Sequence, residues 1–314
     1  MEITKNHIVS DLRKIGLQKG DHVAVGVSFK RLGHVQGGPN GFIDALLEAV
    51  GPEGTLMVNT YTEFFYLTEI RLGWTNYVYN SRETKCNTGI IAEKLRLRND
   101  AIRSRHPAMS NAAIGRHAHF LLDDHDETAD SFLPYSKLAE VNGKYLAVGI
   151  GDNLKGFRHH AQQQAGLLTI VPWKRAVLHK DRQGRINTFI LKDRGGCPTR
   201  LPDLVKDLKE KGIVREGKIG MAQSIIVPAK ESIERMSSLL KADPTLNLCD
   251  KPLCLWCREI ELRLNLYQYI KNPKIFQRYK AAIYLFALIN RLRELDNRLI
   301  SRFKMILKKR KMFY

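Results

Sequence analysis

The stretch HVAVGVSFKRLGHVQGGPNGFIDALLEAVGPEGTLMVNTY (22–61) decides the fold. Its first eight residues, HVAVGVSF, form an apolar run short enough for a buried strand. KRLGHVQGGPNG then concentrates glycine and proline in a loop. A helix opens at FIDALLEAVG, and GTLMVNTY (54–61) is a second buried strand. Strand, Gly-rich loop, helix, strand is the order of an α/β layered fold with parallel pairing.

The same alternation continues on both sides. Upstream, NHIVSDLRKIGLQKGD places Ile8, Leu12 and Ile15 at helical spacing and stops at Gly16 and Gly20. Downstream, residues 62–87 are aromatic-rich but weakly periodic, which predicts a long loop or lid. TGIIAEKLRLR and RHAHFLLDDH read as helices, and HPAMSNAAIG leads into a strand between them. KYLAVGIG (144–151) is another buried strand. Strands are expected near 166–179 and 185–192, a helix near 202–212, a strand at QSIIVPA and a helix over 229–241. The expectation is a layered mixed sheet flanked by helices over residues 1–257, followed by a C-terminal helical extension over 258–314.

Composition agrees with a folded core: 44% of the 314 residues are apolar. The formal charge of +19 implies an anionic partner. More than half of that excess, +11, lies between Arg258 and Tyr314. There Leu285, Leu288, Leu292, Leu295, Leu299, Phe303 and Ile306 recur at intervals of three or four among arginines and lysines. That pattern is a basic amphipathic helix. It suits an anionic membrane surface, helped by KKRK (308–311), or a partner helix; a solvated helix with frayed ends is the alternative. Nucleic acid is not expected as a partner, because no recognisable binding module accompanies the charge. MEITKNHIVSDLRK has no apolar core of a signal peptide, and the longest apolar run, Ala281–Ile289, is well short of the ~20 residues that span a bilayer. A cytoplasmic protein is expected, with the tail as its route to a membrane face. Its cysteines would be reduced or metal-bound. Cys249, Cys254 and Cys257 fall at C-x4-C-x2-C, and with Cys197 they could hold a structural zinc; buried or free thiols are the alternative.

Three polar segments carry the chemistry. In VSFKRLGHVQGGPNG (27–41), a glycine-rich turn between strand and helix can aim backbone N–H groups at an anion, with Ser28 and Lys30 adding a hydroxyl and a charge. The spacing is that of neither a P-loop nor a dinucleotide fingerprint, and a plain tight turn fits equally well. In IRSRHPAMSNAAIG (102–115), Arg103, Ser104, His106 and Ser110 are donors suited to phosphate, or else a basic surface loop. In GFRHHAQQQAG (156–166), His159 and His160 open a helix just past the end of a strand, the edge of an α/β sheet where ligands bind, although a structural histidine fits such a position at least as well.

Taken together, these segments resemble the antibiotic acetyltransferases typified by aminoglycoside 3-N-acetyltransferases. The resemblance rests on Ser28, Lys30, Gly33, Val35, Gly37 and Gly38 in the first segment, and on Arg103, Ser104, His106, Pro107, Ser110 and Ala112 in the second. Gly115, His117, Ala118, His125 and then His159 follow in the family's order over roughly residues 5–240. The resemblance implies a fold distinct from the GNAT acetyltransferases, with acetyl-CoA as the acetyl donor. It assigns cofactor contacts to Ser28, Lys30, Gly33, Val35 and Gly37 in one loop, and to Arg103, Ser104, His106 and Ser110 in the other. His159 would be the base that takes the amine proton during direct acyl transfer.

Two departures from the family pattern bear on the acceptor. The family's glutamate three residues after the histidine is Gln162 here, which can accept the ring N–H but brings no charge. The threonine three residues before it is Gly156. Of the later acidic positions, near 190–193, only Asp193 is acidic. A polycationic aminoglycoside calls for an acidic pocket, so a neutral or anionic amine, such as an amino sugar, is the expected acceptor. True aminoglycoside resistance and a non-catalytic CoA-binding scaffold are the competing expectations.

Overall fold

The computed structural model describes residues 2–168, 175–191, 202–248 and 260. The chain separates into two compact units, Met1–Cys249 and Asp250–Tyr314. Asp193, the cysteines 197, 249, 254 and 257, and the basic segment beyond Ile260 lie outside the described residues, and so do the zinc and tail expectations placed on them.

Eleven strands are described: β1 (His22–Val27), β2 (Thr55–Asn59), β3 (Phe65–Tyr66), β4 (Val78–Tyr79), β5 (Ile102–Arg103), β6 (Asn111–Gly115), β7 (Lys144–Val148), β8 (Arg175–Lys180), β9 (Ile186–Ile190), β10 (Arg215–Ile219) and β11 (Ala222–Pro228). The helices are α1 (Lys5–Lys14), α2 (Gly38–Val50), α3 (Leu67–Arg71), α4 (Ile90–Arg96), α5 (Ala118–Leu122), α6 (Leu133–Glu140), α7 (Lys155–Gln164), α8 (Pro202–Glu210) and α9 (Ala229–Ala242).

The main sheet has seven strands in the order β10-β11-β7-β1-β2-β6-β5. Only the central trio is parallel: Val23 stands opposite Leu56 on one side and Lys144 on the other. The outer strands pair antiparallel. Parallel strands are buried on both faces, which is why β1 and β2 are near-continuous apolar runs. On one face Val23, Val25, Leu56, Val58, Leu146 and Val148 pack with Ile8 and Leu12 of α1 and with α2 and α4. On the other, Tyr145 of β7 meets Tyr135 of α6 and Phe157 of α7, with ring centroids 6.2 and 5.1 Å away.

Three segments depart from the sequence expectation. Residues 62–87 are not one long lid: β3 and β4 flank β8, which also pairs with β9, in a second, four-stranded sheet. Those two-residue strands are set by partners about a hundred residues away, so no local period announces them. α6 and β10 are additional elements. α6 begins with a proline in its first turn, a position that needs no N–H. β10 is an edge strand whose exposed Arg215 and Glu216 hide the apolar signal.

Candidate active site

Because β1, β2 and β7 run parallel, the residues that follow them leave from one edge. Ser28 follows β1, Thr60 and Tyr61 follow β2, and Gly149 to Leu154 lead from β7 into α7. That edge carries a cleft of about 460 Å³. Val25, Gly26, Val27 and Phe29 line it from β1 and the turn after it, Val58, Asn59 and Tyr61 from β2 and the residues after it, and Thr88 to Ala92 from the approach to α4 and its first turn.

Ser28 and Lys30 also line the cleft. The Ser28 side chain makes no capping bond to the short helix Phe29–Leu32. Lys30 is exposed, and its ammonium has no ion-pair partner among the described residues. An apolar trough with a free hydroxyl and a free cation at its wall fits the pantetheine arm and phosphates of CoA. The other three residues of this loop shape it. Val35 is buried and bridges in parallel to Ile3. Gly33 and Gly37 have positive φ of 90° and 72°, and Gly37 is the residue from which α2 starts.

The side chains of the segment 103–110 spend most of their donors on neighbouring residues. Arg103 Nε donates to Thr60 Oγ1 and Ser110 Oγ at 3.1 and 3.2 Å, and Nη2 donates to Thr60 O at 2.8 Å. Nη1 donates to the carbonyls of Ser81 and Thr84. The guanidinium also lies 5.4 Å from the Tyr79 ring centroid, and burial lowers its pKa. Ser110 Oγ donates to Thr60 O at 2.7 Å. Ser104 Oγ accepts from Asn111 N at 2.9 Å and meets His125 Nδ1 at 3.0 Å. His106 Nδ1 accepts the backbone N–H groups of Ala108 and Met109, so its proton sits on Nε2, 3.4 Å from Ser131 Oγ. Ser104, His106 and Ser110 are at most 2% exposed. Arg103 and Ser110 therefore hold the loop to Thr60 at the end of β2, while Ser104 and His106 brace it internally and against His125 and Ser131.

On α7, His159 is half-buried, with its ring 5.9 Å from that of Phe132. Its Nδ1 lies 2.5 Å from Gln162 Oε1, which can only accept, so Nδ1 carries the proton and Nε2 the lone pair. Arg158 Nη2 donates to that lone pair from 3.3 Å. Burial, and next the Arg158 charge, lower the imidazole pKa to about 3, against an upward pull from the Gln162 hydrogen bond. His160 faces α6, with Nε2 2.9 Å from Ser136 Oγ. Arg158 and Tyr61 are site residues that the sequence reading missed. A buried arginine and a strand-end tyrosine look like ordinary surface and core residues until the fold surrounds them.

The sequence profile of the family described as aminoglycoside 3-N-acetyltransferase matches residues 25–241. The chain belongs to that family. Membership makes it an acetyl-CoA-dependent N-acetyltransferase. Aminoglycoside N(3)-acetyltransferase VIII of Streptomyces fradiae is 33% identical over 191 residues, which cover 57% of this chain and 65% of that protein. The crystal structure of aminoglycoside acetyltransferase AAC(3)-Xa superposes with a TM-score of 0.66 at 27% identity, over 76% of this chain and 93% of that one. AAC-IIIb, solved as a binary complex with CoASH, shares the fold with a TM-score of 0.67 at 24% identity, over 77% of this chain and 97% of that one.

Proposed function

We propose that this acetyltransferase moves the acetyl group of acetyl-CoA to the amine of an amino sugar, with His159 as general base. The observation that carries the assignment is the Gln162 hydrogen bond, which leaves the His159 lone pair on Nε2. Once Arg158 Nη2 gives up its contact with Nε2, the amine nitrogen forms its bond to the thioester carbonyl carbon and Nε2 takes the proton the amine sheds. The C–S bond then breaks, and that proton is available to the departing CoA thiolate. Ser28 and Lys30 hold the donor in the cleft, and Gln162 fixes the ring without adding charge.

The side chains bonded to the imidazole are a cation and a neutral amide, Arg158 and Gln162. A neutral or anionic amine meets less repulsion there than a polycation does. The second reading is an aminoglycoside acceptor. It is favoured by the activity named in the S. fradiae relative and by the acidic run DDHDETAD (123–130), whose Asp130 acts electrostatically on His160. Thioester consumption measured across neutral, acidic and polycationic amino sugars decides between them: turnover of aminoglycosides alone sinks the first reading. His159→Ala should abolish turnover, and a fully active His159→Ala enzyme would remove the base assignment.

A further inference from the structure

We infer that Tyr61 is a positioning residue for the base: its phenol takes the space a side chain at residue 156 would fill and holds the first turn of α7 against the donor cleft. The inference rests on His159 being the base, which lies one turn further along the same helix.

A Cβ built on Gly156 would lie 2.2 Å from Tyr61 Oη and 3.2 Å from Tyr135 Cε2 and Oη. Contact at 2.2 Å is far inside any real packing distance, so a side chain at 156 and the Tyr61 hydroxyl exclude each other. The threonine expected at this position from the family pattern is therefore not simply lost. A group from another element stands in its place. Glycine in the first turn of a helix is loose, costing about 1 kcal/mol against alanine. The N-cap residue of the helix, Leu154, supplies no side-chain cap. The packing of two phenols on this turn replaces what the local sequence does not provide.

The same phenols tie the turn to the cleft. Tyr61 lines the cleft with its ring while its Oη is sealed from solvent. Tyr135 donates to Asn59 Oδ1 at 2.6 Å, and Asn59 is the last residue of β2 and another cleft residue. Residues three apart on a helix are surface neighbours roughly 5–6 Å apart, so a shift at Gly156 reaches His159 directly. Tyr61 thereby couples the donor trough to the position of Nε2.

The test compares Gly156→Ala, Tyr61→Phe and the double variant in the full chain. It reads kcat, KM for acetyl-CoA, CoA affinity by calorimetry and the melting temperature. Gly156→Ala should cut kcat about tenfold to a hundredfold through misplacement of the base, with a smaller change in CoA affinity. In the double variant the clashing oxygen is gone, and the other atoms near the new Cβ lie at 3.2 Å or beyond. Its kcat should therefore return to within about twofold of Tyr61→Phe alone. Additive losses in folded proteins would overturn the inference, as would a Gly156→Ala enzyme with wild-type kcat. If Gly156→Ala does not fold, a folded and active double variant supports the inference and an unfolded one overturns it. An active His159→Ala enzyme, by contrast, is a failure of the base assignment and leaves the coupling between residues 61 and 156 to be read by CoA affinity.

Discussion

The loops 28–38 and 103–110 are equally rich in donors, yet they use them in opposite ways. Ser28 and Lys30 keep a hydroxyl and an ammonium on the wall of the cleft. Arg103 spends Nε and both terminal nitrogens on oxygens of residues 60, 81, 84 and 110. The difference lies in the acceptors and not in the donors. After β2 the chain stays beside the second loop, where Thr60 N donates to Ser110 O and Thr62 N to Ala108 O, so backbone carbonyls surround Arg103. Beside residues 28–30 the contact is sparser: Ser28 N donates to Val148 O, and the Lys30 ammonium has no ion-pair partner among the described residues. A donor-rich stretch is a ligand site only where the fold leaves its donors unspent.

The sharpest way to break this contrast is Arg103→Met. Removing the guanidinium leaves the part-buried carbonyls of Ser81 and Thr84 without this donor and takes one of two donors from the buried Thr60 carbonyl. Each lost partner costs about 1–3 kcal/mol unless water reaches it. A total loss of roughly 3 kcal/mol or more is expected, measured as a lowered urea midpoint at unchanged slope. CoA affinity measured where the variant is still folded should change little. A stable Arg103→Met protein that no longer binds CoA would return Arg103 to the phosphate site.

A second effect of the inward loop appears in acid. His125 is stacked on His106 at 4.7 Å in the same interior network. Burial, and then His106, hold its pKa well below 6.5; Lys137 adds to this and the hydrogen bond with Ser131 opposes it. His125 is therefore neutral in the folded chain, while the unfolded chain takes up its proton below about pH 6.5. Stability is complete above that pH and falls as pH drops, by up to about 1.4 kcal/mol per unit from this group. His22, His159 and His160 are lowered too and steepen the same slope. Urea midpoints between pH 7.5 and 5 should decline, and the decline should be shallower in His125→Gln. An identical slope in that variant would show that His125 is protonated in the fold.

How much of this was legible in the sequence follows from where each signal lies. The parallel trio was readable because burial on both faces leaves apolar runs in β1, β2 and β7. α7 was readable because it follows a strand end. The pairs β3 and β4 were not, since two residues carry no period and their partner β8 is remote. At the site, the position of His159 and the neutrality of Gln162 were visible in one short stretch. The role of Arg103 was not, because its acceptors are main-chain oxygens, and every sequence has those. Gly156 looked like a missing threonine until Tyr61 Oη was found in its place.

The smallest effect belongs to the outward loop. Lys30 is exposed and unpaired among the described residues, so Lys30→Ala should change stability by no more than about 0.5 kcal/mol. The proposed contact with a CoA phosphate would be worth at most about 1 kcal/mol at an exposed site, which is roughly a fivefold rise in KM for acetyl-CoA. Salt separates this from an indirect effect. Screening weakens the wild-type contact as ionic strength rises, so the ratio of variant to wild-type KM should shrink toward one between low and high salt. kcat should stay constant throughout, because the charge acts on the donor's tail and not on the reacting carbonyl. A Lys30→Ala enzyme with unchanged KM at low salt would mean that the phosphates rest elsewhere on the cleft. The outward loop would then be as structural as the inward one, and the contrast between the two would fail.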